Sequence, residues 1–152
     1  MTRLTYRPAT VSDLPFIVAL IIGDSVVDTG DDPTATDPAY ARALAEIDAD
    51  PNQEMWLAEL EDEPVGCFQL TFTPGLMRRG AWRATIEVVH IVAARRSGGL
   101  GSEMIRFAID RSRERGCAMV QLTSNKKRLD AHRFYVEKLG FKQSHEGFKL
   151  YF

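Results

Sequence analysis

The sequence lacks any apolar run long enough to cross a bilayer. Its longest uncharged apolar stretch near the start, residues 14–23, falls well short of the roughly 20 residues a membrane span needs. Asp13 and Pro15 interrupt the approach to that stretch, so it has no clean basic leader and a signal peptide is not expected. A basic excess is also missing: 19 Lys and Arg stand against 21 Asp and Glu, a formal net charge of −2 with a pI near 5.9. Proteins that live on phosphate backbones carry the opposite balance, so nucleic acid is not the default partner. Cysteine is scarce. Cys67 and Cys117 each sit inside an apolar run, which fits a reduced cytoplasmic protein with packed thiols better than a disulfide framework. Neither proline (7) nor glycine (11) is in excess, which argues against wholesale disorder. No metal site, repeat or linker is read. The 152 residues, 45% of them hydrophobic, fit one α/β domain over residues 1–152. At this size roughly two-thirds of the unfolded surface is buried on folding, so the core needs no staples.

Hydrophobic periodicity divides the chain into alternating elements. Residues 4–7 read as a first strand, followed by a helix capped by Ser12 or Thr10. Thr10-Val11-Ser12-Asp13 has the capping-box pattern, while Pro15 suits the Ser12 cap. Residues 23–37 read as a long loop and 39–47 as a short helix. Strands are expected over 54–60 and 65–72 around a turn at Glu61-Asp62-Glu63-Pro64, and over 85–92 after a loop at 73–80. Leu100, Met104, Ile105, Ala108 and Ile109 follow helical spacing, and Gly116 supplies the stop. A strand over 117–124 and a helix over 129–139 come next. In the latter, Gly140 is placed as a left-handed C′ residue with Phe141 packing back on Val136. The tail, 141–152, reads as two strands around Glu146-Gly147. The order βααβββαβαββ predicts a sandwich on a mixed sheet of about seven strands flanked by about four helices.

The most informative segment is a strand followed by Arg96-Ser97-Gly98-Gly99-Leu100-Gly101-Ser102 and then a helix. Glycines let the backbone approach a ligand and turn several N–H groups toward one point, and the positive end of the helix favours an anion. A Walker loop would need Gly-Lys-Ser/Thr after the glycines. A dinucleotide fingerprint would need Gly-x-Gly-x-x-Gly near the first strand, and neither is present. Taken alone, the segment also fits a plain tight turn between strand and helix.

Ile86-Glu87-x-Val-x-Ile91-Val92 followed by Arg96-x-x-Gly99-x-Gly101 resembles the acetyl-CoA motif of the GNAT superfamily of N-acetyltransferases. Ala131-His132-Arg133-Phe134-Tyr135-Val136-Glu137-Lys138-Leu139-Gly140-Phe141 is similar to the superfamily's second signature. Arg7-Pro8-Ala9-Thr10 with Asp13-Leu14 resembles its first strand and helix start. The resemblance covers nearly the whole chain. It implies a GNAT-like sheet that splays, with pantetheine pairing to the backbone of Ile91 and Val92. The amides of Ser97, Gly98, Gly99, Leu100, Gly101 and Ser102 would cradle the pyrophosphate, with Arg96 at the entrance. The implied reaction is direct acetyl transfer from acetyl-CoA, the co-substrate, to a primary amine of a small molecule or peptide. Parted strands leave unpaired peptide groups, which the two amides of pantetheine can satisfy.

Such a reaction poses two proton problems. An ammonium with a lysine-like pKa of about 10 must lose a proton before attack, and the departing thiolate benefits from a donor. The resemblance aligns Tyr135 with the tyrosine beside the sulfur, implying the general acid; a core tyrosine is the bland alternative. Glu87 is the expected general base, through water. Strict alternation puts it opposite Ile86 and Val88, whereas His90 would share the face of Ile86, Val88 and Val92, as a core histidine in preference to a base. The second signature often carries Asn seven residues before its Tyr. Here that position is Arg128, and either Asn125 or Arg128 would take over the contact. Arg78, Arg79 and Arg83, or Lys126-Lys127-Arg128, could meet the ribose 3′-phosphate or simply form a solvated face.

Residues 24–50 hold eight acids against one base, Arg42. This is either a soluble acidic loop or a field that draws a cationic acceptor such as a polyamine, an aminoglycoside-like amine or a lysine side chain. A non-catalytic CoA-binding sensor or interaction protein on the same fold is the competing class. A homodimer is compatible with either; no membrane is expected as a partner.

Overall fold

The computed structural model describes residues 3–152. The chain runs β1(Thr5–Pro8), α1(Leu14–Asp24), α2(Pro38–Ala49), β2(Gln53–Leu60), β3(Glu63–Thr73) and the single turn α3(Met77–Gly80). It continues with β4(Trp82–Ile91), α4(Leu100–Glu114), β5(Cys117–Leu122) and α5(Leu129–Arg133). Val11–Asp13 and Ala93–Gly98 are 3-10 turns, and Phe134–Lys138 is a π-helical turn.

The strands form one open mixed sheet in the order β1-β2-β3-β4-β5, antiparallel except for the parallel β4–β5 pair. Among the described residues the expected seven or so strands are therefore corrected to five, and the expected four or so helices to five α-helical segments with three further short helical turns. No regular element is formed beyond residue 139, and Phe148, Leu150, Tyr151 and Phe152 are exposed. Alternation gives a chain two faces but does not supply a ladder partner, and without one the tail stays irregular.

Local chemistry explains where the elements start. Thr10 and Asp13 close the capping box, with the Thr10 N–H donating to Asp13 Oδ2 at 2.7 Å. Asp13, not Ser12, then precedes α1, and Pro15 falls in the first turn. Asp13 also receives two hydrogen bonds from the Arg7 guanidinium, at 2.7 and 2.9 Å. That contact holds its carboxyl below the usual carboxylate value despite burial. Asp37 caps α2, accepting from the Ala39 N–H at 2.8 Å.

The sheet buries both faces. Ile17 of α1 and Leu44 of α2 pack on Met55, Leu57 and Cys67. On the other face Leu100, Met104, Ile105 and Ala108 of α4 meet Phe68, Leu70, Phe72, Ala84 and Ile86. Glu54 of β2 locks α4 in place. It accepts from Arg111 Nη2 at 2.6 Å and Arg115 Nη1 at 3.3 Å, and from the Trp56 indole at 2.8 Å. Arg115 also lies over the Phe72 ring at 4.3 Å. Cys67 is buried and Cys117 half-buried, both free, as expected. No helix among the described residues is long and apolar enough to cross a membrane.

Candidate active site

The parallel pairing of β4 with β5 runs from Trp82↔Cys117 to Ile86↔Leu122 and stops there. β5 ends, while β4 continues to Ile91 bonded only to β3. A cavity of about 240 Å³ fills the gap. Tyr135 and Ala131 line it together with Asp24, Glu87, His90 and Arg128. Tyr135 packs with the α4-side core, whereas Val88 and Asp24 belong to the face covered by α1 and α2. The cleft therefore passes through the sheet.

A bulge sets which side chains face it. Cys67 pairs with His90 and Gln69 with Glu87, so Val88 and Val89 of β4 oppose the single residue Phe68. Val88 takes φ +52° to make the extra step. Ile86 and Val89 pack with the α4-side core, Val88 with the α1 side, and His90 bonds Asp24 of α1. The expectation that His90 and Val88 share the face of Ile86 is thereby corrected: the bulge turns them to the face of Glu87. Glu87 is exposed on the cleft wall. His90 is nearly buried, its side chain 12% exposed.

The glycine segment opens α4. Gly99 adopts φ +80° as the residue before the helix, and no side chain caps it. The first N–H groups of a helix, here those of Leu100, Gly101 and Ser102, have no acceptor within the helix and are available to an anion. A side chain at position 101 would meet the Phe134 ring at 3.7 Å. Ser97 and Gly98 lie in the preceding 3-10 turn, where the Gly98 carbonyl accepts from Arg3 Nη2 at 2.5 Å. Val92 and Ile91, paired together as backbone partners for pantetheine, differ. The Val92 N–H donates to Val65 O at 2.9 Å and its carbonyl accepts from Arg95 N at 2.9 Å, so its N–H is occupied while its carbonyl keeps one lone pair for a ligand. Ladder alternation turns the main chain of Ile91 away from β3. Its carbonyl accepts from Arg96 Nε at 3.2 Å. The open strand edge, the left-handed glycine and the uncapped helix start fit an acyl-CoA.

Tyr135 sits where the last helix widens. Gly140 is left-handed at φ +75°, as expected. The Phe141 N–H, however, reaches Tyr135 O at 3.0 Å, and its ring meets the Tyr135 ring at 5.8 Å rather than pairing with Val136. The π-helical turn adds the extra step and presents Tyr135 to the cleft. Burial lifts the Tyr135 hydroxyl above the usual phenol value. Arg128 pulls it down and Asp24 pushes it up. Among the described residues its hydroxyl makes no hydrogen bond to protein.

Asp24 was legible only as one of eight acids. Its carboxylate, 10% exposed, takes His90 Nδ1 at 2.9 Å, Arg96 Nη2 at 3.1 Å and Arg128 Nη2 at 3.1 Å. An acid at a helix C-terminus opposes the helix dipole, which was the one local signal that Asp24 is held there by partners. Asn125 lines the cleft, but its side-chain carbonyl accepts from the Lys127 N–H at 3.0 Å and so shapes the turn before α5. Arg78, Arg79 and Arg83 lie at or before the start of β4, roughly 30 Å of strand from the glycine segment. That distance removes them as partners of a bound CoA phosphate.

Residues 25–141 match the model of the acetyltransferase (GNAT) family. The chain belongs to that family, whose acetyl donor is acetyl-CoA. It is 34% identical over 96 residues to the aminoalkylphosphonate N-acetyltransferase of Salmonella typhimurium, covering 63% of this chain and 61% of that protein. The match thus spans about three-fifths of that relative's length. A Bacillus halodurans C-125 structure described as a transcriptional regulator shares 45% identity and a TM-score of 0.87, over 98% of this chain and 99% of that one. Glucosamine-6-phosphate N-acetyltransferase from Arabidopsis thaliana shares the fold, with a TM-score of 0.78 at 21% identity over 98% of each chain.

Proposed function

We propose that the protein transfers the acetyl group of acetyl-CoA directly to the primary amine of a small molecule or peptide. The observation that carries this reading is the through-sheet cleft, with a helix start open to a diphosphate on one side and Tyr135 beside the thioester position. The amides of Leu100, Gly101 and Ser102 hold the pyrophosphate, and the free strand edge at Ile91 holds the pantetheine arm. An oriented thioester converts the encounter with the amine into an effectively intramolecular step. Burial keeps the Tyr135 hydroxyl protonated at neutral pH, so it can donate to the departing thiolate. Glu87, on the opposite face, meets the acceptor ammonium and takes its proton through water.

The acids of residues 24–50 bear on the acceptor. Asp24 is bound by two guanidiniums, Asp37 caps α2, and Asp32 accepts from the N–H groups of Thr34, Thr36 and Asp37. Much of the acidity thus organises its own loop. The name of the Salmonella relative adds an anionic-tailed amine to the cationic acceptors suggested by composition. Calorimetry with acetyl-CoA, followed by thiol release across aminoalkylphosphonates, polyamines, an aminoglycoside and lysine peptides, tests the proposal. Binding with turnover on one class is expected. Binding without release on any amine would replace it with a CoA sensor, the role nearest to the description of the Bacillus neighbour.

A further inference from the structure

Resting on that reading, we propose that His90 is a second proton acceptor for the amine and that Asp24 is the residue that positions it. Neither is a residue the family motifs single out in this sequence. Asp24 Oδ2 lies 2.9 Å from His90 Nδ1, and both side chains are about nine-tenths buried, at 10% and 12% exposure. An ionised carboxylate accepts hydrogen bonds only. Nδ1 therefore carries a proton, which makes Nε2 the lone-pair nitrogen of the neutral ring, the tautomer a general base requires. The β4 bulge places this imidazole on the acceptor side of the cleft, one strand position beyond the two bulged valines and on the same wall as Glu87.

Every element around the imidazole contributes a charged or titratable group. Asp24 comes from α1, Arg96 from the 3-10 turn and Arg128 from the loop before α5, each bound to the same carboxylate. Glu87 lies on β4 itself, and Tyr135 lines the same cleft. Cys67, opposite His90 in β3, is pushed by burial up to about 12 and stays a neutral thiol. The two guanidiniums fix Asp24 in place, so the carboxylate cannot follow the ring out of the wall.

In the step, one N–H bond of the ammonium breaks and its proton passes through water to Glu87. The freed nitrogen lone pair attacks the thioester carbonyl carbon, and a second N–H bond of the now cationic nitrogen breaks as His90 Nε2–H forms. On collapse the C–S bond breaks, sulfur keeps the electron pair and takes the Tyr135 proton, and the His90 proton returns through solvent to the tyrosine. Glu87 then releases its proton to solvent, closing the balance as amide, free thiol and one H⁺.

The test uses the full chain, acetyl-CoA and an amine that turns over in the wild type. His90→Gln is expected to lower kcat about 100-fold, with the KM for acetyl-CoA within twofold and the acid limb of the pH–rate profile lost. Asp24→Asn is expected to lower kcat at least tenfold and displace that limb, and Asp24→Glu to recover part of the loss. Heteronuclear NMR of the imidazole should show Nδ1 protonated in the wild type and the tautomer mixed in Asp24→Asn. A His90→Gln enzyme with kcat within threefold of wild type and an unchanged acid limb overturns the proposal. So does an Asp24→Asn enzyme whose tautomer and limb stay put. A wild type that binds acetyl-CoA but releases no thiol would instead remove the acetyltransferase reading, a separate outcome.

Discussion

Two nearly buried carboxylates, Glu54 and Asp24, each hold two arginines, yet they do different work. Glu54 draws both guanidiniums from one helix and its remaining donor from Trp56 two residues away. The two arginines lie one turn apart at the end of α4, and the result is a clamp between α4 and the sheet. Asp24 gathers a histidine from a strand and arginines from two separate loops, and it borders the cleft. A cluster that joins one helix to one strand resists unfolding; a cluster that joins several segments at an opening sets the relative position of groups that meet a ligand. The count of ion pairs would not separate the two.

The comparison can be broken most severely on its open side. Gly99→Val puts a β-branched residue at φ +80°, beside the helix amides proposed to meet the diphosphate. Acetyl-CoA binding measured by calorimetry should be lost, and retained affinity would show that the diphosphate is held elsewhere. Tyr135→Phe is expected to lower kcat about 100-fold while acetyl-CoA affinity stays within a few-fold; thiol-release kinetics report both. On the clamp side, Glu54→Gln leaves two arginines partly buried without their anion and should destabilise the fold by about 3 kcal/mol in urea titration. The kcat of the folded fraction should be unchanged.

The pH dependence sharpens the contrast. Burial pushes the Glu54 carboxyl up, but Arg111, Trp56 and Arg115 outweigh it and leave the group below its usual value. A depressed carboxyl stabilises the fold above its unfolded pKa, and that contribution is lost as pH falls through the folded value. Wild-type stability should thus decline below about pH 4.5, and Glu54→Gln should flatten part of that decline. The smallest effect is expected from Arg78→Ala with Arg79→Ala, which should leave acetyl-CoA affinity unchanged, since both lie at the far end of β4.

Much of this was readable before the fold was known, because it depends on near neighbours. Gly116 and Gly140 stop their helices, Leu100 begins α4, and the glycine segment lies where strand gives way to helix. Tyr135 and Glu87 both reach the cleft. What escaped depends on distant pairing. No glycine or proline marks the β4 bulge, since Val88 itself takes the positive φ, so strict alternation put His90 on the wrong face. Asp24 meets His90 66 positions away and Arg128 104 positions away, beyond any local pattern. The π-helical turn moved the Phe141 contact one residue from the expected pair. At the tail, Phe148, Leu150 and Phe152 alternate as a strand would, but the ladder that alternation implies is not made.

A slot that perforates a sheet has two entrances, and the ladder below Ile86 closes its floor. On the proposed reading, donor and acceptor arrive and depart by separate doors, so neither product need clear the other's path. A single compound that joins a CoA mimic to an amine would be threaded like a pin through both walls, with its linker confined to the thickness of one β-layer. Linker length, rather than the affinity of either end, becomes the variable to optimise in such an inhibitor.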